Sequence, residues 1–134
     1  MAFRILDKMG MPAEDIAAIV TAIGNHDEGV GVPVSPLAAA LIIADKSDVR
    51  RTRVRNSDIK SFDIHDRVNY SVEASRLEIN KDEKIISLIL KIDTEISSIF
   101  DYFEIFIGRM LLCRRAADKL GLSFNLFING QKFI

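Results

Sequence analysis

The sequence predicts an α+β fold in which an N-terminal helical part precedes a three-stranded antiparallel sheet packed on one long helix. Apolar residues recur at helical spacing through most of the first 74 residues. Beyond that point two strand-like runs flank a Lys-Asp-Glu turn, and a third run follows a long helical segment. We therefore expect two domains, a helical one at residues 1–74 and a β-β-α-β one at residues 75–134.

The helical part shows clear start and stop signals. Gly10 suits the left-handed position after a helix, and Pro12 suits the first turn of the next one. Ser35 as an N-cap and Pro36 at the first helical position mark the start of another helix. The run Leu-Ala-Ala-Ala-Leu-Ile-Ile-Ala that follows is apolar on nearly all sides, which implies that this helix is buried. The predicted helices are residues 3–9, residues 12–25, residues 36–49 and a short helix that starts at Asp63 or His65.

The second part of the sequence predicts a hairpin, a long helix and a closing strand. The predicted strands are residues 75–80, 84–93 and 122–128, and the helix runs from Asp93-Thr94 to Gly121. We expect the last strand to lie beside the first, which gives a wholly antiparallel sheet in the order 2-1-3.

The composition is that of an ordinary globular protein. Of the 134 residues, 49% are apolar and 28% are charged, and the net charge of −1 gives no bulk attraction to nucleic acid or anionic lipid. No apolar run approaches the roughly 20 residues that cross a bilayer, and the start lacks a secretion signal. The single Cys113 excludes an intrachain disulfide and suits a reducing compartment. We therefore expect a cytoplasmic protein without membrane contact.

Two residues are candidate metal ligands. His26 lies at the end of the second predicted helix, and Asp45 follows Leu-Ile-Ile-Ala, where a carboxylate is costly unless it is paired, protonated or bound to a metal. Lys46 is the simplest partner, but successive helical residues point about 100° apart and do not naturally face each other. The alternative is that His26 caps a helix end and Asp45 makes a structural hydrogen bond.

A basic cluster follows Asp45. Residues 46–55 contain one lysine and four arginines against one aspartate. Guanidinium groups bind phosphate oxygens in a bidentate manner, and phosphoester hydrolysis requires cations that neutralise the transferring group. The alternative is a solvated, salt-bridged helix end, where cations also suit the helix dipole.

The run AIGNHDEGVGVP followed by SPLAAALIIADKSDVRR resembles the later half of an HD-domain metal-dependent phosphohydrolase. Members of this all-helical superfamily bind one or two divalent metals through a His, a His-Asp pair and a distant Asp. His26-Asp27-Glu28 matches the family's downstream His-His-Glu element, residues 29–33 match its glycine-rich loop, and Asp45 matches its final metal-binding Asp. The resemblance covers residues 2–74.

The resemblance implies a divalent metal (Mn, Mg, Fe or another) bound by His26 and Asp45. It also implies that Lys46, Arg50 and Arg51 contact the phosphate of a nucleotide or another phosphorylated small molecule. The chain departs from the family because no His precedes His26 and no true His-Asp pair is present. We therefore expect a partial, HD-like helical part that binds metal poorly and catalyses little alone.

A second hypothesis is a non-catalytic dimerisation or regulatory module. The long helix carries more apolar surface than a three-stranded sheet covers, so the surplus must meet the N-terminal helices or another subunit. We therefore also expect a homo-oligomer. The arginines have no aromatic residues among them, which argues against a nucleic-acid partner.

Overall fold

Five α-helices and four β-strands are present in the computed structural model, which describes residues 1–134. The helices are α1 (Ala2–Lys8), α2 (Ala13–Gly24), α3 (Pro36–Lys46), α4 (Ile64–Ser71) and α5 (Ile99–Lys119). The strands are β1 (Val72–Asn80), β2 (Ile85–Ile92), β3 (Ser123–Ile128) and β4 (Gln131–Lys132). The predicted α+β class is confirmed.

The four strands form one mixed sheet in the order β1-β2-β3-β4. The β1–β2 and β3–β4 pairs are antiparallel, and the β2–β3 pair is parallel. The predicted three-stranded, wholly antiparallel sheet in the order 2-1-3 is therefore wrong. Because α5 returns the chain to the end where β2 begins, β3 runs in the direction of β2, and a helical crossover of this kind joins parallel strands. The strongly apolar β2 takes an inner position, and the more polar β1 forms an edge.

The short strand β4 follows a two-residue turn that the sequence contains but the prediction did not use. Asn129 and Gly130 both have positive φ, at 51° and 84°, as a tight hairpin turn requires. The Asn129 side chain also bonds the backbone N–H and the carbonyl oxygen of Ile92, at 2.8 and 2.9 Å. This residue therefore links the end of β3 to the end of β2.

Most helix boundaries lie close to the predicted ones, and Gly10 adopts the expected left-handed conformation with a φ of 74°. α3 ends at Lys46 rather than at residue 49. α5 begins at Ile99 rather than near residue 94, because Ser98 and Asp101 form a capping box in which each side chain accepts a hydrogen bond from the other residue's backbone N–H.

A cluster of 20 buried apolar residues joins α3, α5 and the sheet. Ile42 of α3, Phe106 of α5 and Leu88 of β2 belong to it. The predicted boundary at residue 74 lies just after the junction of α4 and β1, and the cluster includes residues from both sides of it. The division into two domains stays a prediction.

α1 and α2 lie outside this cluster. α1 has no buried residue, and α2 buries only Ile16 and Ala22. The large apolar side chains that remain exposed here are Phe3 and Ile5 of α1, Met9 directly after α1, and Val20 and Ile23 of α2. None of the five helices is both long enough and apolar enough to cross a membrane.

Candidate functional site

The end of α2, the loop after it, the last turn of α3 and the middle of α5 bring six ionisable side chains together. We call them the polar cluster, and its members are His26, Asp27, Glu28, Asp45, Lys46 and Arg109. Three ion pairs connect the members, and the charges of four of them act on the buried thiol of Cys113. These residues meet because α3 packs against both α2 and α5.

His26 is fixed at the end of α2 by one hydrogen bond. Its Nδ1 lies 2.6 Å from the carbonyl oxygen of Ile23. A carbonyl oxygen only accepts, so Nδ1 carries the proton and Nε2 of the neutral ring keeps its lone pair. Histidines that bind a metal through one ring nitrogen commonly donate from the other in this way. The same bond satisfies a carbonyl at the end of the helix, so it also fits the capping alternative.

Asp45 and Lys46 form an ion pair, contrary to the expectation from their positions on the helix. Lys46 Nζ lies 2.7 Å from Oδ2 of Asp45, and the side chains are 7% and 37% exposed, respectively. The directions of the two Cβ atoms differ, but the long and flexible lysine chain bends back across the gap. Lys46 Nζ also lies 3.9 Å from Oδ1 of Asp27. A buried ammonium group requires such partners, because its removal from water is costly.

The pKa of Asp45 lies below its ordinary value. Burial is the largest single influence and raises this pKa, but the hydrogen bond and charge of Lys46 and the charges of His26 and Arg53 together outweigh it. Asp45 is therefore a carboxylate at neutral pH. Burial also raises the pKa of Cys113 to about 12, so its thiol stays protonated and does not act as a ligand or nucleophile.

The loop between α2 and α3 is attached to α5 at two points. Glu28 forms an ion pair with Arg109, whose guanidinium carbon lies 4.3 Å from the centre of the Phe106 ring. At Gly31 the loop passes so close to α5 that an added Cβ would lie 2.8 Å from Cδ2 of Leu112. Sequence reasoning missed Arg109, which no motif marks, and treated Gly31 only as a loop residue.

The two candidate phosphate-binding arginines contact other parts of the chain. The Arg50 Nε atom lies 2.7 Å from Oδ1 of Asp48 on the exposed surface. Arg51 donates from Nε to the backbone carbonyl oxygen of Tyr70 at 2.8 Å, and its guanidinium carbon lies 4.5 Å from the centre of the Tyr70 ring. Lys46 is the candidate phosphate contact that belongs to the polar cluster.

The residues of this chain do not complete a metal site. No three His, Cys, Asp or Glu side chains converge as a metal-binding group. His26 and Asp45 have the right donor chemistry, but Lys46 engages one oxygen of Asp45. Divalent cations in proteins take four or more donors, so with two protein ligands water would have to supply the remaining donors and binding would be weak.

No protein-family model, curated protein or solved structure matches the chain. The resemblance to HD-domain phosphohydrolases therefore rests on the sequence motifs at residues 22–51 alone.

Proposed function

We propose that this chain is part of an HD-type metal-dependent phosphohydrolase in which His26 and Asp45 supply two of the metal ligands. The orientation of His26 carries the proposal. Its Nδ1 donates to the Ile23 carbonyl oxygen, which leaves the lone pair of Nε2 free for a metal, and the ring lies near enough to Asp45 for its protonated form to lower the pKa of that carboxyl. Further ligands would have to come from outside these 134 residues, and by itself the chain is expected to be a weak metal binder with little activity.

The basic residues of the same region would bind the phosphate of the substrate. Lys46 is buried beside Asp45, and its contact with Asp27 at 3.9 Å is long enough for a phosphate oxygen to replace it. Arg50 is exposed and paired only with Asp48, so its guanidinium can turn toward a bound phosphate. A divalent cation in the completed site would supply a water of lowered pKa and polarise a phosphoryl oxygen. The substrate class is a nucleotide or another phosphorylated small molecule.

The free, buried Cys113 fits the reducing cytoplasm in which we place this activity.

Titration of the chain with Mn²⁺, followed by electron paramagnetic resonance, tests this proposal. We expect one weak saturable site, and His26→Gln and Asp45→Asn should each weaken it at least about tenfold, since even loss of an outer-shell partner costs about that much. Lys46→Met should strengthen binding, because it frees the second oxygen of Asp45. Asp48→Asn is the control, since Asp48 lies three residues after Asp45 but pairs with the exposed Arg50 and Arg53.

The outcomes separate the metal role from a structural one. No saturable site in the wild-type chain, or equal Mn²⁺ affinity in His26→Gln, Asp45→Asn and Asp48→Asn, would overturn the proposal. Circular dichroism of each variant checks that the fold is retained. Assays with an artificial phosphodiester should show at most trace turnover with Mn²⁺ for the chain alone.

A second candidate function is a non-catalytic dimerisation or regulatory module. The exposed apolar residues of α1, α2, the loop between α2 and α3, and α5 favour it, because surfaces of this kind commonly mark protein–protein contacts. Val20 and Ile23, which are 38% and 42% exposed, lie within two turns of His26. This candidate gains if Ile23→Ser reduces association while His26→Gln leaves Mn²⁺ binding unchanged.

A further inference from the structure

β1 is an edge strand with one unpaired side. It is the first of the four strands in the sheet and pairs only with β2. Its register is irregular between Val72 and Ala74 and then continues without a break from Ala74 to Asn80. The outer edge of this regular stretch is a template for another strand, because its backbone N–H and C=O groups have no ladder partner on that side.

Opposite charges lie symmetrically about the centre of the stretch. Leu77 is the middle residue of Ala74–Asn80, and it is flanked by Arg76 and Glu78. These two side chains are on the same face of the sheet, with Arg76 Nη2 2.8 Å from Oε1 of Glu78. Charged side chains on an edge usually oppose association. Here each charge would meet its opposite if an identical strand paired antiparallel about Leu77.

The side chains on the other face of β1 favour the same antiparallel pairing of two β1 strands about Leu77. Leu77 packs against the buried cluster, and Ser75 donates to the carbonyl oxygen of Ser47 at 2.7 Å, so the odd-numbered residues face the helices. Ile79 shares this face but is 60% exposed. In an antiparallel pair about Leu77, each Ile79 would lie opposite Ser75 of the second copy and next to the two Leu77 side chains, where it loses contact with water.

We propose that β1 pairs with β1 of a second copy of this chain, antiparallel and with the two-fold axis at Leu77, so that two four-stranded sheets become one sheet of eight strands. The interface is isologous, and each Arg76 faces Glu78 of the second copy. This surface does not involve the polar cluster. The inference is therefore independent of the proposed phosphohydrolase function.

Sedimentation of charge variants tests this pairing. We expect the wild-type chain to dimerise at micromolar concentrations. Arg76→Glu or Glu78→Arg alone should weaken dimerisation at least about tenfold, because two attractive cross-strand pairs become repulsive in each homodimer. An equimolar mixture of the two variants should recover the dimer, since both cross-strand pairs are then of opposite charge.

The equimolar mixture of the two variants distinguishes charge pairing between chains from the Arg76–Glu78 ion pair within one chain. Each variant lacks an attractive Arg76–Glu78 pair within its own chain, so recovery on mixing can come only from contacts between chains. Lys132→Glu is the control, because Lys132 is an exposed charge of β4, at the opposite edge of the sheet from β1. It should leave dimerisation unchanged.

Oxidative cross-linking tests the register. Leu77→Cys should form a disulfide with its counterpart, since directly opposite residues of antiparallel strands lie within disulfide distance. Ile79→Cys should not, because its neighbour in the second copy is Ser75. A monomeric wild-type chain, a mixture that stays monomeric, or cross-linking through residue 79 rather than residue 77 would each overturn the proposal.

Discussion

Gly31 has no space for a side chain where the loop after α2 passes α5. A Cβ there would lie 2.5 Å from the carbonyl oxygen of Asp27 and 2.8 Å from Cδ2 of Leu112. Because the first of these contacts is with backbone, the loop itself must move. We expect Gly31→Ala to lower the free energy of unfolding by about 1–3 kcal/mol, as overpacking does elsewhere. Urea denaturation measures the change.

Gly29 is the matched control for this substitution. It lies in the same loop, and an added Cβ would have no atom within 4 Å. Gly29→Ala should therefore be neutral or slightly stabilising, because it restricts the unfolded chain. Equal stability of the Gly29→Ala and Gly31→Ala variants would show that the contact with α5 does not hold the loop.

Single residues of the candidate site were predictable only where their own sequence neighbours mark them. Asp45 stands out because a carboxylate after an apolar run needs a partner. Lys46 was named as the simplest partner, but the expectation from helix geometry that the two side chains would not face each other was wrong, since that geometry gives the direction of Cβ and not the bend of a long side chain. Arg109 was missed because its partner Glu28 lies 81 positions away along the chain.

At the scale of elements, the start of α5 depends on its capping box. Ser98 Oγ accepts from the backbone N–H of Asp101 at 3.0 Å, and the Asp101 carboxylate accepts from the backbone N–H of Ser98 at 3.1 Å. We expect Ser98→Ala to lower the free energy of unfolding by about 1 kcal/mol, the usual cost of a lost N-cap. Ser123→Ala is the control, because Ser123 is exposed at the start of β3. Circular dichroism measures the thermal unfolding of both variants. Equal midpoint temperatures for Ser98→Ala and Ser123→Ala would contradict the prediction.

Helices and strands were largely predictable because their signals are local. Gly10, Ser35 and Pro36 mark helix ends through their own conformational preferences, and the structure places them as expected. The order of the strands was not predictable in the same way. It depends on which edge of the hairpin the returning strand joins, and the sequence of β3 alone does not decide between β1 and β2.

For the whole molecule, the shared core makes α3 and the sheet depend on each other. Ile42 of α3 is fully buried in the cluster that also contains Leu88 of β2. Between them lies α5, which packs against both α3 and β3. A loss of packing at Ile42 should therefore be transmitted to the strands rather than stay within the N-terminal helices.

We expect Ile42→Ala to lower the free energy of unfolding by about 2–5 kcal/mol and to speed hydrogen exchange at the β2 amides as much as at those of α3. Leu37→Ala on the same helix is the control, because Leu37 is 47% exposed and its loss should cost much less. Faster exchange confined to α3, with the β2 amides still protected, would mean that the two parts of the chain unfold separately. In that case the predicted division at residue 74 would describe two folding units, and the contact between α3 and α5 would be an interface between them.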